Sequence, residues 1–366
     1  MQSWLYNVDR LVETFSNWLE LRVGSSIAAE LVKAILAAGL IAVLVSVLGL
    51  VLVYLERKVA AHMQQRLGPM RVGPHGIFQT VADTIKLISK EDIIPAHADR
   101  VIHTVGPLIC FVAAFMVIGF IPFAPGLQVV SLNVALLFII GISSAGVLGI
   151  ISAGWASNNK WSMLGAMRAA AQIISYELSA TLALLAIILF TGTLDLQGIV
   201  ESQRTGWWIW RAPVVGIFAF LIYLIASTAE CNRTPFDIAE GESELTGGFH
   251  TEFSAMKFAM FFLSEFINVF TVSAVSATVF LGGWMPFHVD GLDSLNKVFD
   301  LVPPWVWFSA KTGAIIFIIM WFRWTFPRLR VDQLMRFEWK FLMPLALANL
   351  AVASVLAVSG FYFFRS

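Results

Sequence analysis

Long apolar runs, separated by shorter polar connections, recur along the whole chain. A helix that crosses the hydrocarbon core of a bilayer needs on the order of 20 predominantly apolar residues. Eight runs approach or exceed that length, at residues 27–54, about 101–123, 130–153, 163–190, 213–230, 255–281, 306–326 and 341–364. The pattern predicts an all-α, polytopic membrane protein whose eight transmembrane helices form a single membrane domain over residues 27–366.

The connection after the first run carries a different pattern. At 100° per residue, its apolar side chains fall on one helix face and its polar side chains on the opposite face. The apolar set is Ile77, Phe78, Val81, Ile85 and Ile88. This predicts an amphipathic surface helix at about residues 77–90, which lies on the membrane surface, packs over the mouth of a cavity, or is an ordinary connector.

The first 26 residues mix Trp and Leu with charged residues. That mixture favours a short helix at the membrane interface, with an unstructured lead-in as the alternative. These residues lack the order of a basic segment, an apolar stretch and a small-residue cleavage site, so we expect no cleaved signal peptide.

The basic residues are distributed unevenly between the connections. About two thirds of the 24 Lys and Arg residues lie in or beside the odd-numbered connections. Positively charged loops stay on the cytoplasmic side of a membrane, so these connections are predicted to face the cytoplasm or an organelle matrix. Both termini would then lie on the opposite, periplasmic or intermembrane side.

The composition agrees with a membrane protein and argues against one class of partner. The chain is 58% hydrophobic and 13% charged, whereas roughly a quarter of the residues of a soluble protein are charged. The net charge of +0 argues against nucleic acid as a partner. The lipid bilayer is the expected surroundings.

Cysteine and histidine give no sign of a cofactor site. Cys110 and Cys231 allow neither a disulfide framework nor a CxxC motif. The six histidines show no i, i+4 spacing that would suit a haem or a metal ion. The sequence also has no glycine-rich phosphate loop and no Ser/His/Asp arrangement. We therefore expect this chain to bind no metal and no redox cofactor, and any electrons nearby to be carried by another chain.

Acidic residues concentrate between and within the two apolar runs at 213–230 and 255–281. Only Arg233 and Lys257 oppose them, and the acidic residues are Glu230, Asp237, Glu240, Glu242, Glu244, Glu252 and Glu265. Carboxylates close together beside hydrocarbon disfavour each other's ionised forms and titrate as a coupled set. The cluster therefore predicts a group that moves protons or holds a polar guest, with a solvated acidic loop as the alternative.

One further acid lies inside the run at 163–190. Glu177 stands at membrane depth, where a charge facing lipid is costly, so it is predicted to face a protein interior or water. Arg168 is nine residues before it, on the opposite helix face, so the two are not a pair.

Five segments carry a family resemblance. They are LVYLERKVAAHMQQRLGPMRVGPHG, ADTIKLISKED, GWASNNKWSMLGAMRAAAQIISYE, AECNRTPFDIAEGESELTGGFHTEFSAMKFAMFFLSE and RWTFPRLRVDQLMRFEWKFLMPL. Each resembles a signature segment of the H-subunit family of NADH:quinone oxidoreductase, respiratory complex I, whose mitochondrial counterpart is the first NADH dehydrogenase subunit encoded in the organelle. The resemblance covers about residues 27–364.

The resemblance implies a membrane subunit at which the peripheral arm of the complex docks. Such a subunit encloses most of a chamber through which ubiquinone or menaquinone enters from the bilayer. NADH, FMN and the iron–sulphur clusters belong to partner subunits, so the chain would be part of a translocase without holding a redox centre. The implied location is a bacterial inner membrane, with the mitochondrial inner membrane as the alternative.

The resemblance also assigns roles to individual residues. The quinone chamber would take Glu56, Arg57, Arg66, Asp83, Lys86, Arg233 and Arg323. The acidic path towards the proton-pumping subunits would take Glu177, Glu230, Asp237, Glu240, Glu242, Glu244, Glu252 and Glu265. Through this path, quinone reduction would be linked to proton translocation.

Two other functions stay open on the sequence. One is the homologous membrane subunit of an energy-converting hydrogenase or formate hydrogenlyase. The other is a stand-alone proton or cation transporter that uses the same glutamates, although the chain shows no inverted repeat and no matching pair of broken helices.

Overall fold

The computed structural model describes residues 26–204, 206–239, 241, 245–288, 296 and 299–360, without the side chains of residues 26–30 and 213. Regular structure in these ranges is helical, apart from one isolated bridge between Ala124 and Leu127. The all-α prediction is confirmed. The predicted interfacial segment 1–26 lies almost wholly outside the described residues.

The helices follow the apolar runs along the chain. In order they are α1 (Ser26–Met63), α2 (Gln79–Ser89), α3 (Arg100–Ile118), α4 (Ala135–Ala156), α5 (Lys160–Thr191), α6 (Leu196–Glu201), α7 (Trp208–Arg211), α8 (Pro213–Glu230), α9 (Ala255–Phe280), α10 (Pro304–Thr325), α11 (Val331–Phe337) and α12 (Met343–Ser359). A π-helical turn, Glu338–Leu342, joins α11 to α12. Single 3₁₀ turns stand at Pro74–Gly76 and Gly248–His250.

Within the described ranges, seven helical stretches are long and apolar enough to cross a membrane. They are α1, α3, α4, α5, α9, α10 and the continuous stretch from α11 through α12. The chain is therefore a multi-pass membrane protein. The eighth predicted span coincides with the shorter apolar helix α8 and stays a prediction, as does the orientation of the termini.

Local signals fix where several helices begin and end. The Asp99 side chain accepts hydrogen bonds from the backbone nitrogens of Val101 and Ile102, which would otherwise have no partner at the start of α3. Asn159 caps α5 in the same way, through the nitrogen of Trp161. These caps set the starts of two helices that carry much of the core.

Small residues let α3 and α4 pack closely. A Cβ atom added at Gly106 would lie 3.1 Å from both the Gly149 oxygen and the Ala153 nitrogen. A larger residue at Gly106 would push the two helices apart.

Helix α9 lies at the centre of the molecule. Of the seven candidate spans it has the largest buried share, while α1 and the final stretch have the smallest. It packs against α1, α3, α8 and α10. The position of α9 explains how an acid such as Glu265 can stand inside an apolar run without facing lipid.

The amphipathic prediction is confirmed as a helix, α2, that begins two residues later than predicted. Its apolar face is exposed, since Ile85 and Ile88 are 61% and 62% accessible. Its polar face turns towards α1 through an ion pair between Asp83 and Arg57.

Two predicted boundaries differ most from the structure. Helix α1 continues to Met63 instead of ending at Tyr54, because its charged residues find partners within the protein. The last helical stretch begins at Val331 instead of 341, so Glu338 lies within it and is 1% exposed.

Candidate functional site

Four charged residues from four parts of the chain meet in a buried cluster. Arg233 donates from Nη1 to both carboxylate oxygens of Glu56, at 2.9 Å each. Its Nε lies 2.8 Å from Oε1 of Glu265, and Arg323 pairs with Glu56. We call Glu56, Arg233, Glu265 and Arg323 the charge cluster. It contains two positive and two negative groups, and it joins α1, the segment after α8, α9 and α10.

Burial makes Arg233 and Glu56 depend on their charged partners. Arg233 is 5% exposed and Glu56 is 8% exposed. The Arg233 guanidinium also lies 4.4 Å from the centre of the Phe266 ring, a cation–π contact. Removing one partner of a buried ion pair leaves an uncompensated charge, which is far costlier than removing an exposed one.

A cavity of about 520 Å³ opens beside the charge cluster. Its charged walls are Glu56, Arg57, Arg66 and Arg323. Its apolar walls are Val53, Ala60, Ala61, Leu67, Pro69, Phe262, Phe266 and Trp324. We call it the outer cavity. Its size falls within the range of about 300–1,000 Å³ of small-molecule sites, and its lining offers both polar and apolar contacts.

The polar face of α2 is tied to this cavity. Asp83 lies 2.5 Å from Arg57, and Gln79, which also lines the outer cavity, donates to Asp83 at 3.4 Å. Lys86 is 3.8 Å from Asp83 and mostly exposed. The predicted chamber residues therefore gather at one place, with Lys86 at its edge.

Two further cavities lead away from Glu265 into the helices. The first, of about 220 Å³, is lined by Glu265 and Glu230. The second, of about 40 Å³, is lined by Glu230 and Glu177. We call them the middle cavity and the inner cavity. Glu230, Ser143 and Asn268 line both, so the three glutamates follow one another along adjoining spaces.

Two groups that line the middle cavity outside the helical spans, His250 and Cys231, are neutral at pH 7. Burial lowers the pKa of His250 to about 4. Burial also raises the pKa of the Cys231 thiol well above its usual value. Ser144 donates a hydrogen bond to Glu177, so the partner of this carboxyl group is a hydroxyl.

A buried amide fixes the turn that carries Glu230 and Arg233. Nε2 of Gln172 on α5 lies 2.7 Å from the oxygens of both Ala229 and Phe236 and 3.2 Å from Oδ1 of Asn232. Three atoms of one turn are thus held by one side chain, so the turn's geometry depends on α5.

A family model described as NADH dehydrogenase matches residues 35–354. The H subunit of the NADH-quinone oxidoreductase of Bacteroides fragilis is 46% identical over 335 residues, which are 92% of this chain and 94% of that protein. The corresponding H subunit of Bacillus cytotoxicus is 43% identical over 350 residues, 95% of this chain and 98% of that protein. This chain belongs to the H-subunit family of NADH-quinone oxidoreductase. The resemblance seen in the sequence is confirmed.

Membership of the H-subunit family makes the chain a membrane subunit of an oxidoreductase complex, respiratory complex I. It also implies the other subunits of that complex as partners. In the part of the chain that the structure describes, no group of three or more His, Cys, Asp or Glu side chains could hold a metal ion.

Several predicted path residues stand elsewhere. Glu252 accepts a hydrogen bond from Asn159 at 2.6 Å and lines none of the three cavities. Asp237 is half-buried and its charge acts on Glu265. Glu240, Glu242 and Glu244 lie outside the described residues, so their place on the path stays a prediction.

Sequence reasoning missed other buried polar groups in this member of the family. Lys311, 7% exposed, donates from Nζ to the oxygens of Leu281, Gly283 and Met285 at 2.5–3.0 Å. Glu338 is paired with Ser179. A charge inside an apolar run was the available signal for Lys311. Gln172 and Asn268 gave no such signal, because they are uncharged.

Proposed function

We propose that this chain forms the quinone-access chamber of complex I and links quinone reduction to proton translocation through buried carboxyl groups. One observation carries the proposal. Arg233 contacts Glu56, which lines the outer cavity, and Glu265, which lines the middle cavity. A change of charge in the outer cavity therefore reaches the first acid of the path through one guanidinium.

The outer cavity suits a quinone as substrate. A quinone has an apolar tail and a polar headgroup, and this cavity combines aromatic and aliphatic walls with Glu56, Arg57 and Arg323. The exposed apolar face of α2, whose polar face holds Arg57, fits the entrance from the bilayer. The chain's role there is to bind and orient the quinone, while NADH, FMN and iron–sulphur clusters in partner subunits supply the electrons.

Quinone reduction is coupled to proton transfer through Arg233, which contacts both Glu56 and Glu265. Reduction of a quinone to a quinol takes up two electrons and two protons. The charge in the chamber changes while the electrons have arrived and the protons have not, and it stays changed where residues of the chamber supply the protons. That change alters how strongly Arg233 is held by Glu56, and hence how well it stabilises the charge of Glu265. Glu265 then exchanges a proton with Glu230, and Glu230 with Glu177, along the middle and inner cavities.

The arrangement in the membrane is part of the same proposal. α8 would be the fifth of eight spans, and the Lys- and Arg-rich connections would face the cytoplasm, with both termini on the opposite side. The outer cavity would then open on the face where the peripheral arm docks. The membrane would be the bacterial inner membrane.

The test uses the whole complex, purified and reconstituted into vesicles. Glu265→Gln and Glu230→Gln should each lower inhibitor-sensitive NADH:quinone reductase activity and proton pumping by at least about tenfold. A positioned proton-transfer group contributes about a hundredfold or more to a rate, so a tenfold loss is the smallest effect expected. Glu201→Gln is the matched control, because Glu201 is an exposed carboxylate that forms an ion pair with Arg204 at 3.9 Å. Full activity and pumping in both path variants would contradict the proposal.

A further inference from the structure

The segment that follows α2 is joined to the start of α9 by three polar contacts. Ser254, the residue before α9, accepts a hydrogen bond from the Ile93 nitrogen at 2.9 Å and donates one to the Glu91 oxygen at 3.3 Å. Nζ of Lys257 lies 2.9 Å from Oδ2 of Asp92. We call these three contacts the latch. They join two parts of the chain that are 161 positions apart at Ser254 and Ile93.

Lys257 stands where its own helix does not favour it. It lies in the first turn of α9, and the positive end of a helix dipole repels a cation. It is also 8% exposed, so water does little to stabilise its charge. A carboxylate at this place both pairs with the lysine and suits the start of a helix. Asp92 therefore satisfies two needs of α9 at once.

The backbone at the start of α9 is shaped by the same contacts. A serine before a helix usually accepts a hydrogen bond from a nitrogen of the first turn, but within the described part of the chain Ser254 makes no such bond. Its hydroxyl is used by the segment after α2 instead. The next residue, Ala255, has a φ of 50°, which is disfavoured for residues other than glycine. Such strain persists only where the surroundings hold it, and latch contacts lie on both sides of Ala255.

Both helices that the latch joins contribute to the outer cavity. α2 contributes Gln79, and α9 contributes Phe262 and Phe266. The two helices also pack directly against each other. Helix α9 is held in place by α1, α3, α8 and α10, whereas α2 has an exposed apolar face. The latch therefore holds α2 on a fixed α9.

We propose that Lys257, Ser254 and Asp92 hold α2 against α9 and thereby fix the mouth of the outer cavity for quinone entry. This rests on the proposed function, in which quinone enters beside α2. The three are positioning residues, because none of them lines the outer, middle or inner cavity. Opening the latch lets α2 take several positions, fewer of which admit quinone. The KM for quinone then rises while kcat changes little.

Amide hydrogen exchange in the purified complex tests the latch without quinone turnover. Lys257→Met keeps a long side chain and removes the charge. We expect exchange across residues 79–93 to become at least about tenfold faster, the factor for a lost hydrogen bond to a charged group. Ser254→Ala should have a smaller effect in the same direction. Lys160→Met is the matched control, because Lys160 is an exposed lysine in the first turn of another spanning helix, α5. Unchanged exchange in Lys257→Met would overturn the inference.

Exchanging the charges separates pairing from packing. Lys257→Glu places two acids side by side, so it should speed exchange more than Lys257→Met does. The double variant Lys257→Glu with Asp92→Lys restores an ion pair and should return both the exchange rate and the KM towards the wild-type values. Equal impairment in the single and the double variant would also overturn the inference.

Kinetics of the reconstituted complex separate this inference from the proposed function. Lys257→Met should raise the KM for a water-soluble quinone by at least about twofold, the lower end for one lost hydrogen bond, with kcat and assembly near wild type. A lower kcat at unchanged KM would overturn the inference. If Glu265→Gln and Glu230→Gln lose turnover while exchange in Lys257→Met is unchanged, the latch is wrong and the carboxyl path stands. Faster exchange with unchanged KM and kcat would leave the latch standing and contradict quinone entry beside α2.

Discussion

Acidic side chains have different partners in the charge cluster and in the region from Glu230 to Glu177. In the cluster, Glu56 and Glu265 each lie beside a guanidinium. Along the inner cavity, Glu177 has a hydroxyl as its partner, and among the described residues no cation pairs with Glu177 or Glu230. The first arrangement favours a fixed charge on Glu56, which pairs with two guanidinium groups, and the second suits groups that take up and release protons. Glu265 belongs to both regions, because it pairs with Arg233 and lines the middle cavity. We therefore expect mutations of Arg233 and Glu56 to affect stability first, and mutations of Glu230 and Glu177 to affect turnover first.

Arg233→Met should have the largest effect. It leaves Glu56 and Glu265 buried with one cation fewer, and losing one partner of a buried pair costs about 3–5 kcal/mol. We expect a clearly lower thermal unfolding temperature in detergent and little assembled complex on a native gel. Arg204→Met, at an exposed pair, is the control and should change neither. Normal assembly and stability of Arg233→Met would remove the basis of the comparison.

Glu177→Gln should separate turnover from stability. Glutamine keeps the shape of the side chain and a hydrogen bond to Ser144, so assembly should stay near the wild-type level. Coupled turnover should fall by at least about tenfold, because a positioned proton-transfer group is lost. Glu56→Gln should behave differently, with reduced assembly as well as reduced turnover. The same pattern in both variants would show that the two regions do not differ as described.

The Arg57–Asp83 pair should give a smaller effect. Its side chains are 42% and 25% exposed, so the coupling between them should be about 0.5–1 kcal/mol. Single and double substitutions, Arg57→Gln and Asp83→Asn, measure that coupling in a double-mutant cycle. We expect the KM for quinone to rise with kcat little changed, because the pair fixes α2 at the outer cavity. A fall in kcat with unchanged KM would place the pair in the coupling step instead.

His250 should give the smallest effect. Burial lowers its pKa to about 4, while an unfolded chain holds histidine near its usual value of about 6.5. The unfolded state therefore binds the proton first, so stability falls as pH drops from about 6.5 towards about 4. His250→Gln should flatten that decline, as measured by thermal unfolding at pH 7 and pH 5. An unchanged pH dependence would show that His250 is not kept neutral by its surroundings.

The helices could be predicted from the sequence because their signal is local. Apolar runs of membrane length predicted the spans. The periodicity of apolar and polar side chains, at 100° per residue, predicted α2. The ends were less accurate, since helix ends depend on distant partners. The charged end of α1 continues as helix because Glu56 meets Arg233, which is 177 positions away in the chain.

The candidate site could be predicted only in part. Charged residues inside apolar runs, such as Glu177 and Glu265, could be recognised from the sequence, because exposing a charge to lipid costs free energy. Their order along adjoining cavities could not be predicted, because it depends on how α4, α5, α8 and α9 pack. Gln172 and Asn268 gave no signal, because uncharged polar residues are common in membrane helices and acquire meaning only from their neighbours.

If quinone reduction in the outer cavity drives the path, it changes the protonation of carboxyl groups beyond Arg233. An infrared difference spectrum of the intact complex, recorded on quinone reduction, tests it directly through the C=O band of protonated carboxyl groups. We expect a carboxyl signal in the wild-type complex and in Glu201→Gln that is absent or strongly reduced in Glu230→Gln. Identical carboxyl signals in all three complexes would show that Glu230 does not change its protonation when quinone is reduced.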